Sequence, residues 1–136
     1  LLASEAAVEA HGLTARARIV AHSRNSLAPE AFTLAPIGAA EDVLAKAGWT
    51  VADVDLWEIN EAFAMVTMLT MDALKLDPAC VNVHGGACAQ GHPIGSTGSR
   101  IIVTLMHALE HYGKKRGVAA LCIGGGEATA VAIELV

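Results

Sequence analysis

Three short segments of the chain combine glycines with side chains that could do chemistry. They read WEINEAFA, which holds Asn60, VHGGACAQGHPIGSTGSR, which holds His92, and LCIGGGEATA, which holds Cys122. The second segment has five glycines, more than a turn requires, so its backbone is expected to approach another group closely. Glycines also follow Cys122, and bare backbone N–H groups beside a thiol can bind an anion or a developing oxyanion.

Each of these residues also has an ordinary structural explanation. Asn60 suits the N-cap of a helix, where Glu61 would face the positive end of the helix dipole. Cys122 suits a buried strand, in which most cysteines are inert. His92 lies between a glycine and a proline, away from any regular apolar face, so burial in a core explains it less well.

A metal site is another possible use of the histidines and cysteines. Cys80, His84, Cys88 and His92 recur every four residues. That spacing aligns side chains only on a helix, and here glycines and the strand-like VNV interrupt any helix. No metal site is predicted.

The elements that must position these residues alternate between strands and helices. Helices are predicted for SEAAVEAHG, PIGAAEDVLAKAG, EAFAMVTMLTMDALKL and IIVTLMHALEHYG, with glycine or proline near their ends. Strands are predicted for RARIVAHS, DVDLWEIN, CVNVHGG, GVAALCI and TAVAIELV. The order βαβαββ implies a layered α/β domain with a mixed sheet. Because sites in such sheets lie beyond one end of the strands, the three segments are expected to share a pocket.

Composition argues against several kinds of protein. The 136 residues carry 9 Lys and Arg against 14 Asp and Glu, without a basic stripe, so nucleic-acid binding is not expected. The apolar tail GVAALCIGGGEATAVAIELV contains glycines and glutamates, which favours two strands over a membrane span. Three cysteines without a signal-peptide pattern indicate a reducing compartment, and we expect a cytoplasmic protein. The chain opens LLASEAAVEAHG without Met and is expected to be a piece of something longer.

Taken together, the three segments resemble the C-terminal catalytic motifs of the thiolases, the acetyl-CoA acetyltransferases. NEAFA, GGACAQGHPIGSTGSR and CIGGG occur in the family's order and at its spacing, and the resemblance spans essentially the whole chain. It implies the C-terminal half of a thiolase-like α/β fold, a layered mixed sheet with helices on both faces. Residues 1–24 would be the last helix and strand of the N-terminal domain, and residues 25–136 the C-terminal domain.

The resemblance also implies an activity and residue roles. Thiolases interconvert two acyl-CoA molecules with a 3-ketoacyl-CoA and free CoA, through an acyl-enzyme on a cysteine. By resemblance, His92 assists that nucleophile and polarises a thioester oxygen, while Asn60 holds a water in the same oxyanion hole. Cys122 would remove the α-proton of the second acyl-CoA, and the N–H of Gly124 would belong to the second oxyanion hole.

Substrate binding and partners follow from the same resemblance. Phe63 and Phe32 would line the pantetheine tunnel, coenzyme A thioesters would be substrates, and no cofactor or metal is expected. The family usually forms homodimers or homotetramers. Its nucleophilic cysteine lies in the N-terminal part of the same enzyme, upstream of the position of Leu1, and none of the three cysteines present replaces it. The fragment alone is therefore expected to be inactive.

Two other interpretations remain open. A thiolase-like module that binds acyl-CoA or lipid without chemistry would explain the missing nucleophile. A relative of the ketoacyl synthases would share the fold, but that family normally uses two histidines, or a histidine and an asparagine, at the positions of His92 and Cys122. The cysteine argues against it.

Overall fold

The computed structural model describes all 136 residues, which form five α-helices and four β-strands. Three single 3₁₀ turns occupy Pro29–Ala31, Val51–Asp53 and Pro78–Cys80. The main elements in chain order are α1 (Glu5–His11), β1 (Ala17–Ser26), α2 (Ala35–Ala47), β2 (Leu56–Ile59), α3 (Ala64–Leu74), α4 (Ala87–Gln90), α5 (Thr97–His111), β3 (Arg116–Cys122) and β4 (Glu127–Leu135).

The first two helices end where their capping residues predict. The Ser4 side chain accepts a hydrogen bond from the backbone N–H of Ala7, and Gly12 closes α1 in the left-handed conformation at φ 57°. Helix α2 has Pro36 in its first turn and ends at Gly48, where φ is 69°. These helix boundaries match those predicted from the sequence.

The four strands form one mixed sheet in the order β1-β4-β3-β2. Strand β4 pairs antiparallel with both β1 and β3, and a glycine turn joins β3 to β4 as predicted. Strands β2 and β3 are parallel, so the chain between them makes a long crossover through α3, α4 and α5. Strand β1 spans the proposed domain boundary near residue 24 and pairs along its length with β4; the boundary itself stays a prediction.

Helices cover both faces of this sheet. Along β4, side chains alternate between a cluster that contains Ala130 and packs on α2 and a cluster that contains Ile133 and packs on α5. Helix α5 buries Ile101, Leu105 and Leu109, spaced four residues apart, in the second cluster. The predicted layered α/β fold with a mixed sheet is confirmed.

Two predicted elements differ from the structure. CVNVHGG is not a strand, because only Val81 bridges to Trp57 and the chain turns at Asn82, where φ is 47°. The side-chain amide of Asn82 replaces the missing strand: its Oδ1 accepts from the N–H of Ile59 at 2.8 Å and its Nδ2 donates to the carbonyl of Ile59 at 2.9 Å. The helix predicted to follow Asn60 directly begins only at Ala64. None of the helices is long and apolar enough to cross a membrane.

Candidate functional site

Two of the three candidate segments lie side by side because their strands are parallel neighbours. Asn60 directly follows β2, and its backbone N–H donates to the carbonyl of Ala120 in β3 at 2.9 Å. Cys122 is the last residue of β3. The carboxyl ends of both strands therefore meet at one border of the sheet, which we call the β2–β3 edge.

The glycine-rich segment is tied to this edge by Glu61. One carboxylate oxygen of Glu61 accepts from the backbone N–H of Cys88 at 2.9 Å, and the other accepts from the Asn82 amide at 3.3 Å. The carboxylate lies so close to Gly86 that a Cβ at that position would overlap it. Farther along, a Cβ on Gly98 would lie 3.6 Å from the Leu121 side chain, so the start of α5 lies over the end of β3.

Asn60 belongs to a buried polar cluster at this edge. It is 1% exposed, and its Oδ1 accepts from Nη2 of Arg100 at 3.4 Å. Nη1 of Arg100 is 3.4 Å from Oε2 of Glu58, which is also 1% exposed. Asn60 caps no helix: the N-cap of α3 is Phe63, and the backbone N–H of Asn60 pairs instead with Ala120 of β3. The N-cap interpretation of Asn60 is therefore wrong.

Three atoms of this cluster are buried without a hydrogen-bond partner, namely Oε1 of Glu58, Nδ2 of Asn60 and Nε of Arg100. The pKa of Glu58 is raised to about 7, mainly because burial disfavours the charged carboxylate. Arg100 lowers that pKa, and the negative charge of Glu61 raises it further. The cluster thus combines a carboxylate that titrates near neutral pH with an amide N–H2 group that no protein atom accepts from.

His92 presents one defined ring nitrogen to solvent. Its Nδ1 is 2.7 Å from the hydroxyl oxygen of Thr97, and that hydroxyl donates its hydrogen to the carbonyl of Pro93 at 3.0 Å. When the single hydrogen of the Thr97 hydroxyl is donated to Pro93, Nδ1 is the donor in the His92 contact. This pattern is compatible with the tautomer that carries its proton on Nδ1 and its lone pair on Nε2, the arrangement that a general base requires.

Cys122 and the glycines after it place a thiol beside free backbone donors. Cys122 is 8% exposed, and burial raises the pKa of its thiol. The turn is closed by hydrogen bonds from Ile123 to Glu127 and from Gly126 to Ile123, at 2.7 and 3.2 Å. The N–H of Gly124 takes no part in backbone hydrogen bonding, and the residue is exposed, so this N–H is free to donate to a ligand.

Two aromatic rings flank the chain next to Asn60. The rings of Phe32 and Phe63 meet edge to face with centroids 6.1 Å apart, and Phe63 is 59% exposed. Phe63 immediately precedes α3, and Phe32 follows the 3₁₀ turn before α2. The pair forms a partly open apolar wall of the kind that suits a flexible, largely uncharged ligand arm.

The structure brings some predicted residues together and keeps others apart. Phe32 contacts Phe63, and Asn60 is linked to α5 through Arg100. His92 and Cys122 make no hydrogen bond to each other; each presents its own reactive group. No group of three or more His, Cys, Asp or Glu side chains is placed to hold a metal ion. The four residues from Cys80 to His92 do not lie on one helix: only Cys88 belongs to an α-helix, the short α4.

Sequence reasoning missed the residues that hold the site in shape. These are Glu58, Glu61, Asn82, Thr97 and Arg100, each of which contacts a candidate residue or its loop. One signal was available: a glutamate in the short apolar strand LWEI must be buried, and a buried carboxylate needs a cationic or hydrogen-bonding partner. The sequence does not say which cation would meet it.

Comparison with known proteins agrees with this architecture. The family model described as thiolase, C-terminal domain, matches residues 13–135. The chain is 52% identical over 118 residues to the cytosolic acetyl-CoA acetyltransferase of Mus musculus, covering 87% of this chain and 30% of the mouse protein. It is 46% identical over 134 residues to a probable acetyl-CoA acetyltransferase of Dictyostelium discoideum, covering 98% of this chain and 32% of that protein.

Solved structures share the fold closely. The acetyl-CoA acetyltransferase of Bacillus anthracis superposes with a TM-score of 0.94 at 42% identity, covering 98% of this chain and 34% of that one. A thiolase from Ascaris suum in complex with coenzyme A gives 0.93 at 43% identity, over 98% and 35% of the two chains. The chain thus spans about a third of the length of these relatives. It belongs to the thiolase family, rather than to the ketoacyl synthases, and corresponds to the family's C-terminal domain.

Proposed function

We propose that this chain is the C-terminal catalytic domain of an acyl-CoA acetyltransferase that carries out reversible Claisen chemistry on coenzyme A thioesters. The overall reaction converts two acyl-CoA molecules into a 3-ketoacyl-CoA and free CoA. The observation that carries the proposal is the β2–β3 edge, where a buried thiol beside a free Gly124 N–H lies on the strand next to Asn60. The family membership of the chain supports the reaction class.

The first half-reaction needs a base for a nucleophile that lies outside this chain. We assign that task to Nε2 of His92, which accepts the proton of a cysteine thiol in the N-terminal domain. The resulting thiolate attacks the thioester carbonyl, the bond from carbonyl carbon to CoA sulfur breaks, and the leaving CoA thiolate takes up the proton. The Thr97 hydroxyl supports this role because it is placed to accept from Nδ1–H in the tautomer with Nε2 unprotonated. Asn60 would hold a water that donates to the developing oxyanion.

The second half-reaction needs a stronger base and a second oxyanion site. We assign the base to the Cys122 thiolate, which takes the α-proton of the second acyl-CoA. The enolate carbon then attacks the acyl-enzyme carbonyl, a carbon–carbon bond forms, and the bond to the enzyme sulfur breaks. The sulfur leaves as a thiolate and takes up the proton held by Cys122, which restores both groups. The raised pKa of Cys122 makes its thiolate a stronger base, although it lowers the thiolate fraction at neutral pH. The free N–H of Gly124 suits the enolate oxygen.

Substrate binding and assembly form the rest of the proposal. Phe32 and Phe63 would line the path of the pantetheine arm, and coenzyme A thioesters are substrates, with no cofactor or metal. The full enzyme would be a homodimer or homotetramer in the cytoplasm; one mouse relative is named cytosolic, whereas a human relative is named mitochondrial. No nucleic acid or membrane partner is expected.

A thiolase-like module that binds acyl-CoA or lipid without chemistry is the alternative. It would differ from the enzyme in having no reactive cysteine on a strand-to-helix turn elsewhere in the full-length protein. Thiolysis of acetoacetyl-CoA by a full-length protein that carries this domain separates the two proposals. CoA-dependent loss of acetoacetyl-CoA is the expected result, with no activity from residues 1–136 alone. Saturable CoA binding without turnover by the full-length protein would favour the binding module.

A further inference from the structure

A guanidinium lies directly behind Asn60 and bridges three elements. Nη2 of Arg100, in α5, contacts Oδ1 of Asn60 at 3.4 Å, and Nη1 contacts Oε2 of Glu58, in β2, at the same distance. Nη1 is also 3.5 Å from Oε1 of Gln90, at the end of α4. The Arg100 side chain is 20% exposed and that of Glu58 2% exposed, so water competes little for these groups. Arg100 therefore joins the glycine-rich segment to the residue that follows β2.

We propose that Arg100, held by Glu58, is a positioning residue that fixes the Asn60 amide with Oδ1 toward the guanidinium and leaves its NH2 end for a ligand at the β2–β3 edge. Guanidinium is always charged and only donates, so the end of the amide that faces it must be the acceptor. The reversed amide would bring two N–H donor groups together where little water reaches them. Charge thus decides the orientation of a side chain that is otherwise nearly symmetric.

The free end of the amide has the properties of a ligand donor. Nδ2 of Asn60 is buried and has no protein partner, although buried donors are almost always paired. Its missing partner is an acceptor oxygen, either of a bound water or of the thioester. The effect on catalysis rests on the proposed function, because only then does an N–H2 group at this edge stabilise a developing oxyanion.

A double-mutant cycle separates positioning from a general contribution to stability. In a full-length enzyme that carries this domain, Arg100→Met should lower kcat for acetoacetyl-CoA thiolysis by about 10- to 100-fold and leave KM within about threefold. Asn60→Ala should lower kcat by about 100-fold, and adding Arg100→Met to it should cause no further loss. Losses that multiply in the double variant, or an Arg100→Met enzyme with wild-type kcat, would overturn the proposal.

Two further variants test the orientation and control for lost ion pairs. Asn60→Asp keeps an acceptor toward Arg100 but removes the donor, so its kcat should fall as far as that of Asn60→Ala. Full activity of Asn60→Asp would mean that the NH2 end of the amide is not the functional end. Arg116→Met removes another arginine–glutamate ion pair, the more exposed one with Glu134, 3.0 Å apart at the other end of β3, and should leave kcat within about twofold.

A structural readout decides the proposal even if the wild-type enzyme shows no thiolysis. In neutron structures of the full-length wild type and of Arg100→Met, where deuterium marks the amide nitrogen, Oδ1 of Asn60 should face Arg100 in the first, and the amide should turn over, turn away or adopt two orientations in the second. An Asn60 side chain that keeps its place without the guanidinium would overturn the proposal. Absence of turnover with this structural change present would instead reject the proposed function alone.

Discussion

The surroundings of a residue at the β2–β3 edge change its acid–base properties, and the pKa of Glu58 shows this most directly. Its pKa is raised from 4.5 to about 7 by burial, against the lowering effect of Arg100 and with a further rise from Glu61. At a pH between its unfolded and folded pKa values, a carboxyl whose pKa is higher in the folded state takes up a proton when the chain folds. Its contribution to stability therefore falls as pH rises from about 4.5 to about 7 and is level above that range.

We predict that Glu58→Gln removes this part of the pH dependence. Relative to the variant, the wild type should lose up to about 3 kcal/mol of unfolding free energy between pH 5 and pH 8, as a shift of this size implies. Thermal unfolding midpoints of both proteins across that range measure the difference, and titrations common to both cancel. A constant difference between the two midpoints would show that Glu58 does not titrate there.

The orientation of the His92 ring depends on one neighbouring hydroxyl group, that of Thr97. Thr97→Val removes the acceptor of the Nδ1–H, so the ring should lose its fixed tautomer and kcat for thiolysis should fall about tenfold. Thr70→Val is a matched control, because Thr70 is also a buried helical threonine whose hydroxyl donates four residues back, to the carbonyl of Val66 at 2.9 Å. Equal kcat values for the two variants would contradict the role assigned to Thr97.

At the level of elements, the four-residue helix α4 depends on a carboxylate from another loop. Glu61 accepts from the Cys88 N–H at the start of α4 and lies against Gly86, where a Cβ would overlap its carboxylate. We predict that Gly86→Ala pushes this carboxylate away and lowers the unfolding free energy by about 1–3 kcal/mol. Gly98→Ala, whose Cβ would make only an ordinary 3.6 Å contact with Leu121, should stay within about 1 kcal/mol of wild type. Chemical denaturation of both variants tests this, and similar midpoints would refute it.

The same elements explain how far the sequence alone could predict the structure. Helix α2 and strands β3 and β4 were predictable because their signals are local: a proline and a glycine at the helix ends, a short apolar run in β3 and alternating β-branched residues in β4. The segment CVNVHGG was wrongly predicted to be a strand. Asn82 turns the chain there and pairs with Ile59 through its side chain, which no apolar pattern reveals. Likewise, Asn60 could be recognised as important from its motif, whereas its contact with Arg100 joins residues 40 positions apart.

For the whole molecule, the described domain supplies one side of the proposed site. Large apolar side chains near the β2–β3 edge remain exposed, among them Phe63 at 59%, Ile94 at 84% and Ile123 at 44%. The chain covers about a third of the length of its relatives, and the proposed nucleophile belongs to the part outside that third. Complete chemistry is therefore expected only in an enzyme that brings a reactive cysteine to His92.

The central claim is that Cys122 exchanges the substrate α-proton, and its most direct test is kcat for acetoacetyl-CoA thiolysis by a full-length enzyme that carries Cys122→Ser. A serine hydroxyl is a far weaker acid than a thiol, so turnover should fall by about 10²- to 10⁴-fold. Cys80→Ser is the control, since Cys80 lies in the 3₁₀ turn after α3 and has no assigned role. Wild-type turnover in Cys122→Ser would contradict the account.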